Sequence, residues 1–339
     1  MRPLDPKELM LMPRSIPVTF TNRRGLKLFG ILEMPASPTV QDLAVLMLSP
    51  GVKMRVGPQC LYRNMTTEFL QFGIPVLRFD CHGLGDSEGT LPEELLRDVY
   101  NHIEVGRFVD DTVDAMDWMQ REHGTRRFIL SGLCGGAITG LLAGERDRRV
   151  VGLLGLGLTA VLASRAADAS RYMTEGELQG ARQMYLRRLL SPQAWYRLFT
   201  LKADYRLIGR LIAQTFRPKR QAQAPAPPPP DDNANPRFPP AFFSMLSTGR
   251  PMLLVFGGSD RLQWEFEEKF VARHREQLAS FPPLWDVHVV PQANHVLSAS
   301  EWQREMLDVS RAWLQRHFAP SLAAGPAAVT ATSVVGHPV

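Results

Sequence analysis

The stretch "RRFILSGLCGGAITGLLAG", Arg126 to Gly144, constrains this chain more than any other. A short β-prone run, Phe128–Leu130, ends in Gly132-Leu133-Cys134-Gly135-Gly136, and an apolar helical run begins at once. A strand that turns into a helix through one residue follows a backbone path on which flanking side chains collide, so glycine stands on both sides. Gly135 and Gly136 also let the helix N-terminus approach the sheet. The sequence therefore predicts a strand, a tight turn and a helix, with Cys134 at the positive end of the helix, where the thiolate is favoured. The alternative is a buried structural cysteine, since free cysteine is among the most buried residue types. Composition argues against it: with 3 Cys and 26 Gly in 339 residues, chance places a cysteine in such a pattern about 0.02 times.

Seven further β-rich runs surround this unit, at Ile16–Phe20, Leu26–Leu32, Leu43–Leu48, Pro75–Phe79, Val151–Leu156, Met252–Phe256 and Val287–Val290. From the third strand onward they alternate with amphipathic stretches, among them Tyr62–Gln71, Val109–Arg121, Phe266–Gln277 and Glu301–His317. That rhythm predicts an eight-stranded, mostly parallel α/β sheet with helices on both faces. The first two strands, joined through "NRRG", read as an antiparallel hairpin at one edge.

One segment breaks the rhythm. Residues 159–249 read as helices inserted between the sixth and seventh strands, a helical lid carrying a proline-rich linker at 221–236. The core is thus expected in two parts, 1–158 and 250–318, followed by a disordered tail at 319–339. Three cysteines at positions 60, 81 and 134 show neither disulfide nor metal spacing, which fits reduced thiols in the cytoplasm. The N-terminus lacks a signal-type apolar core, and the longest apolar run, Val150 to Ala163, is too short and glycine-rich to span a bilayer. A cytoplasmic protein without a transmembrane segment is expected.

A nucleophile at such a turn needs a base and an acid to orient it, expected downstream in the order nucleophile, acid, histidine. "PMLLVFGGSDRL" places Asp260 at the carboxyl end of the seventh strand, and "WDVHVVPQANHVLS" places His295 in the loop after the last. Read alone, Asp260 is equally a turn residue or helix cap, and His295 a surface histidine. His274 and His317 fall in helical stretches, His288 in a strand and His337 in the tail, which leaves His295 as the base. The oxyanion hole is expected from the N–H of Gly135 and that of Val52, in the loop "MLSPGVKMRVG" after the third strand. Lys53 and Arg55 beside it read as solvated charge rather than substrate contacts. In "FDCHGLGDSEG", Asp80, His82, Asp86 and Ser87 resemble a second catalytic cluster, but a bracing loop is the favoured reading.

"PVLRFDCHGLGDSEG", the Cys134 turn, "GGSD" and "QANH" together resemble the α/β-hydrolase superfamily, in its serine-aminopeptidase-like branch. "MRVGPQCLYRNMTTEFLQFGIPVLRFDCHGLGDSEG", "GLCGGA" and "YLRRLLSPQAWYRLF" are similar to the exosortase A system-associated hydrolases, bacterial proteins encoded beside exopolysaccharide and protein-sorting genes. The similarity runs from about Phe20 to Phe318. It implies an α/β-hydrolase fold, with Cys134 as nucleophile, Asp260 as acid and His295 as base. Two departures stand out: most of the superfamily has serine at the turn, and Ser-Pro-Gly replaces the common His-Gly after the third strand.

These residues predict a cysteine-dependent acyl hydrolase of esterase or lactonase type, working through a thioester acyl-enzyme on a small-molecule acyl substrate. No metal or nucleotide motif appears, so no cofactor is expected. Between 165 and 220, twelve Lys/Arg face four Asp/Glu and alternate with apolar residues. The favoured reading is a lid with a solvated outer face. The alternative is a thioesterase or acyltransferase that docks an acyl carrier protein or coenzyme A there, with peripheral contact to anionic lipid as a further use of the same charge. Nucleic acid is not expected as a partner, because no binding module accompanies the charge.

Overall fold

The computed structural model describes residues 12–37, 42–162 and 232–323, with side chains to 318. All eight expected strands form: β1 (Arg14–Thr21), β2 (Lys27–Met34), β3 (Leu43–Leu48), β4 (Val76–Phe79), β5 (Arg127–Leu133), β6 (Val150–Leu156), β7 (Met252–Gly257) and β8 (Trp285–Val290). They make one sheet in the order β1-β2-β4-β3-β5-β6-β7-β8. β1, β2 and β4 pair antiparallel, and every other pairing is parallel. The all-buried run of β3 reflects a central parallel strand covered on both faces.

The helices divide between those faces. Helix α1 (Leu61–Gln71) and the last helix, Ser300–Ala323, share one apolar core through Leu61, Met65, Phe69, Met306, Trp313 and Phe318. On the other face lie α2 (Leu96–Glu104), α3 (Val109–His123), α4 (Gly135–Arg146) and α5 (Phe238–Ser247). Helix α2 was not among the expected elements, although Leu96, Val99 and Ile103 recur at helical spacing, with Asp98 in its first turn and His102 in its last.

Three expectations need correction. The continuous helix over Phe266–Gln277 is broken: α6 (Arg261–Phe266) passes into a wider π-helical turn at Glu267–Val271, and a short α7 (Arg275–Ala279) follows. The widened turn lets Phe266 and Phe270 both face the aromatic cluster of Phe238, Phe242 and Trp285 under β7. The last helix, α8 (Ser300–Ala323), runs five residues past the expected start of the tail. The insertion, finally, gives way to the core before 249. Helix α5 buries Phe238, Phe242 and Met245 against the sheet side of the core. The end of the proline-rich linker is also tied down: Asp232 pairs with Lys269 and Arg273, Ala234 bridges Val161, and the Asn235 amide donates to the Glu104 carbonyl at 2.7 Å. The rest of the expected lid, 163–231, and the tail beyond 323 lie outside the described residues.

Candidate active site

The turn after β5 has the strained geometry that its glycines foretold. Cys134 sits at φ 54, ψ −113, between the end of β5 and the first residue of α4. A non-glycine residue at positive φ persists only where the surroundings fix it. Its N–H donates to the Leu156 carbonyl at 2.8 Å, and its own carbonyl accepts the Ile138 N–H at 3.1 Å. The thiol is partly exposed, whereas Cys81 is buried, with burial and then Asp111 pushing its thiol well up.

Asp260 and His295 meet. The Asp260 Oδ1 caps α6 through the Leu262 N–H, while its Oδ2 lies 2.7 Å from His295 Nδ1. The carboxylate is therefore both the helix cap and the histidine's partner, the two readings that its sequence position left open. With Nδ1 taken, Nε2 is left for Cys134, which lies close enough to favour the charged imidazole. Burial opposes the charged imidazolium, but Asp260 and Cys134 outweigh it and push the His295 pKa up to about 10. A protonated His295 is the state that this arrangement favours. Gly157, at φ 52 at the end of β6, makes room for it: a Cβ there falls 3.1 Å from His295 Cε1 and 3.5 Å from Asp260 Oδ2.

The loop after β3 closes on the same point. A Cβ on Gly135 would fall 2.7 Å from the Gly51 Cα, so these backbones touch, with Val52 next in line and half-buried against the core. Arg55, expected to be solvated, instead holds the bracing loop. Its guanidinium pairs with the buried Asp80 and, at 2.6 Å, with Asp86. Ser87 donates to the Asp80 carbonyl at 2.6 Å. His82, 5% exposed, is bound through Nδ1 to Asp111 at 2.7 Å. The group read as a second cluster is thus internally engaged as a brace.

Tyr62 was missed in the sequence, because only the fold brings its partners together. Its hydroxyl, fully buried, donates to the Leu48 carbonyl at 2.7 Å and accepts the Leu133 N–H at 2.8 Å. It thereby ties the residue before Cys134 to the end of β3. Tyr62→Phe leaves both backbone groups buried without that partner and should lower unfolding free energy by about 1–3 kcal/mol, read from urea melts. An unchanged midpoint would mean that the phenol contributes nothing.

The match to family models spans residues 59–309, three quarters of the chain, and describes the alpha/beta hydrolase family. The chain belongs to this family. Solved structures share the hydrolase fold at low identity. An esterase from Pyrococcus furiosus superposes with a TM-score of 0.54 at 16% identity, covering 94% of this chain and 95% of its own. A putative alpha/beta hydrolase from Agrobacterium tumefaciens gives 0.51 at 16%, covering 92% and 100%. A hypothetical protein from Pseudomonas aeruginosa gives 0.52 at 18%, covering 93% and 96%. None of the curated proteins matches the sequence. Among the described residues no hydrolase helix is long and apolar enough to cross a membrane, and no group of three or more His, Cys, Asp or Glu is arranged to hold a metal.

Proposed function

We propose that this alpha/beta hydrolase is a cysteine-dependent acyl hydrolase acting on carboxylic esters or lactones. The observation that carries the reading is Cys134 at positive φ on the strand-to-helix turn, beside a histidine whose Nδ1 is held by Asp260 at 2.7 Å. The Pyrococcus furiosus neighbour is an esterase, which supports the ester bond. Within the family we assign the chain to the exosortase A system-associated hydrolases, on the motifs quoted above.

The reaction follows from the pair. Cys134 Sγ attacks the carbonyl carbon, and the π electrons move to oxygen, which the N–H groups of Gly135 and Val52 stabilise. Collapse breaks the C–O bond as His295 Nε2 protonates the departing alkoxide, leaving a thioester. Neutral His295 then takes a proton from water, hydroxide attacks the thioester, and collapse expels the Cys134 thiolate to restore the ion pair. Amides fit poorly, since the tetrahedral intermediate would expel the thiolate in preference to an amine.

The test is a panel of p-nitrophenyl esters and acyl thioesters, assayed before and after iodoacetamide. Cys134 should be alkylated before Cys60 and Cys81, mapped by peptide mass spectrometry, and turnover should fall in proportion. Full activity after stoichiometric labelling of Cys134 would overturn the reading.

A second reading rests on the basic excess at 165–220: a thioesterase or acyltransferase that takes its acyl group from an acyl carrier protein or coenzyme A. Under it, reversing Arg187, Arg188 and Lys202 to Glu raises KM for the carrier-bound substrate and spares a small neutral ester, because rim charge acts mainly on encounter. Salt should act likewise, as the Debye length shrinks to about 8 Å at physiological ionic strength. We expect parallel effects on both substrates, with the charge only solvating the segment. A steep salt dependence confined to the carrier substrate would make the second reading the better one.

A further inference from the structure

Tyr100 lies where the three-residue arrangement does not account for it. It projects from α2, one turn before Ile103, and is half-buried. Its ring packs onto the turn after β3. A Cβ on Gly51 would fall 2.7 Å from Tyr100 Cε1 and 3.3 Å from both its Cζ and its hydroxyl oxygen. Gly51 stands at φ 63, so this vacancy suits glycine twice over. On the other side of the same turn, a Cβ on Gly135 would meet the Gly51 Cα at 2.7 Å, the Gly51 N at 2.9 Å and Ile103 Cγ2 at 3.0 Å. Helix α2 therefore lays one phenol against Gly51, the residue before Val52, and one aliphatic side chain against Gly135. Ile103 is fully buried there. Tyr100 keeps its hydroxyl without a hydrogen-bond partner among the described residues. Burial first, then the charge of Cys134 and that of Glu104, hold the phenol proton on and keep the group a donor.

We propose that the Tyr100 hydroxyl is a third oxyanion donor beside the N–H groups of Gly135 and Val52, hydrogen-bonding the substrate carbonyl oxygen as Cys134 attacks; this rests on the acyl-hydrolase reading. The phenol keeps its proton throughout. As the C–S bond forms and negative charge gathers on oxygen, the O–H···O contact strengthens; as the tetrahedral intermediate collapses, it relaxes. A donor that strengthens only in the transition state acts on kcat more than on KM.

The experiment compares Tyr100→Phe with the unaltered full chain on a p-nitrophenyl ester, in parallel with Cys134→Ala. Phenylalanine keeps the ring that packs on Gly51, and an unchanged circular dichroism spectrum and Tm establish that the fold survives. The expected result is a fall in kcat of about 10- to 100-fold, with KM within about threefold. The rate of Cys134 alkylation by iodoacetamide should stay the same, since the nucleophile is untouched. An aldehyde inhibitor that forms a tetrahedral adduct should lose affinity by the same factor as kcat, while the carboxylic acid product should not. Difluorotyrosine at position 100, more acidic than tyrosine, should add an alkaline limb to kcat that a wall residue would not produce. If Tyr100→Phe keeps wild-type kcat, or raises KM alone, while Cys134→Ala is inactive, the third-donor role falls and the hydrolase reading stands. If Cys134→Ala retains full turnover, the hydrolase reading itself falls.

Discussion

Cys134→Ala should lower kcat on any ester substrate by about 10⁵- to 10⁶-fold, the scale reached when a nucleophile is removed from a three-residue unit. The geometry gives the reason. The residue occupies a positive-φ turn that the protein maintains at a conformational cost of about 1–3 kcal/mol, and it lies close enough to His295 to favour the imidazolium. Alanine fits the turn no worse than cysteine, so stability should hardly change. A large loss of rate without a loss of Tm separates chemistry from folding. Cys134→Ser sharpens the distinction. Serine keeps the turn and places a hydroxyl near His295, but its alkoxide is far harder to form than a thiolate, so no ion pair precedes attack. The serine variant should keep a measurable esterase rate, about 100-fold or more below the wild type. Equal rates for the alanine and cysteine forms would remove Cys134 from the reaction.

The sequence carried much of this site because its signals are local. β-prone runs bounded by glycine mark β5 and β7, and the chain order Cys134, Asp260, His295 follows from which strand each residue ends or follows. What it did not carry depends on contacts distant in the chain. Tyr62 braces the turn through Leu48 and Leu133, 14 and 71 residues away, and nothing in "CLYRNM" announces either partner. Helix α2 was legible in principle, from Leu96, Val99 and Ile103, yet its bearing on the site appears only when Ile103 meets Gly135 and Tyr100 meets Gly51. Arg55 reads as one more surface charge until the fold sets the buried Asp80 beneath it. The widened turn at Glu267–Val271 was hidden for a related reason, since an apolar period continues through it while the aromatic cluster that it serves lies on other elements. Asp232 to Asn235 closed a proline-rich stretch whose composition pointed to disorder, and their anchors, Lys269, Arg273 and Glu104, are set only by tertiary structure.

The pH profile should report the His295 proton directly. In kcat/KM, which follows the free enzyme, activity should persist through neutral pH and fall on an alkaline limb near 10, where His295 loses the proton that it must give to the leaving alkoxide. The sign follows from the partners. Burial alone would press the histidine below its ordinary value, so the limb lies high only because Asp260 and Cys134 favour the imidazolium. Removing the Asp260 charge must then move the limb toward lower pH. Asp260→Asn takes away the carboxylate charge while leaving a side chain of the same shape, so it should shift the limb downward and lower kcat by about 10⁴-fold, because an amide can also hold the ring in the wrong tautomer. Cys134→Ser should replace the alkaline limb with an acidic one, because His295 must then start neutral to take the serine proton. His295→Ala should abolish the limb altogether and bring kcat down by about 10⁵- to 10⁶-fold, close to the loss from Cys134→Ala, since a nucleophile and a base that act as one unit are not additive. The double variant should be no slower than either single one. If Asp260→Asn left both the limb and kcat unchanged, the orienting carboxylate would have to be another residue, and the 2.7 Å contact between Asp260 and His295 would reduce to the helix cap that it also makes.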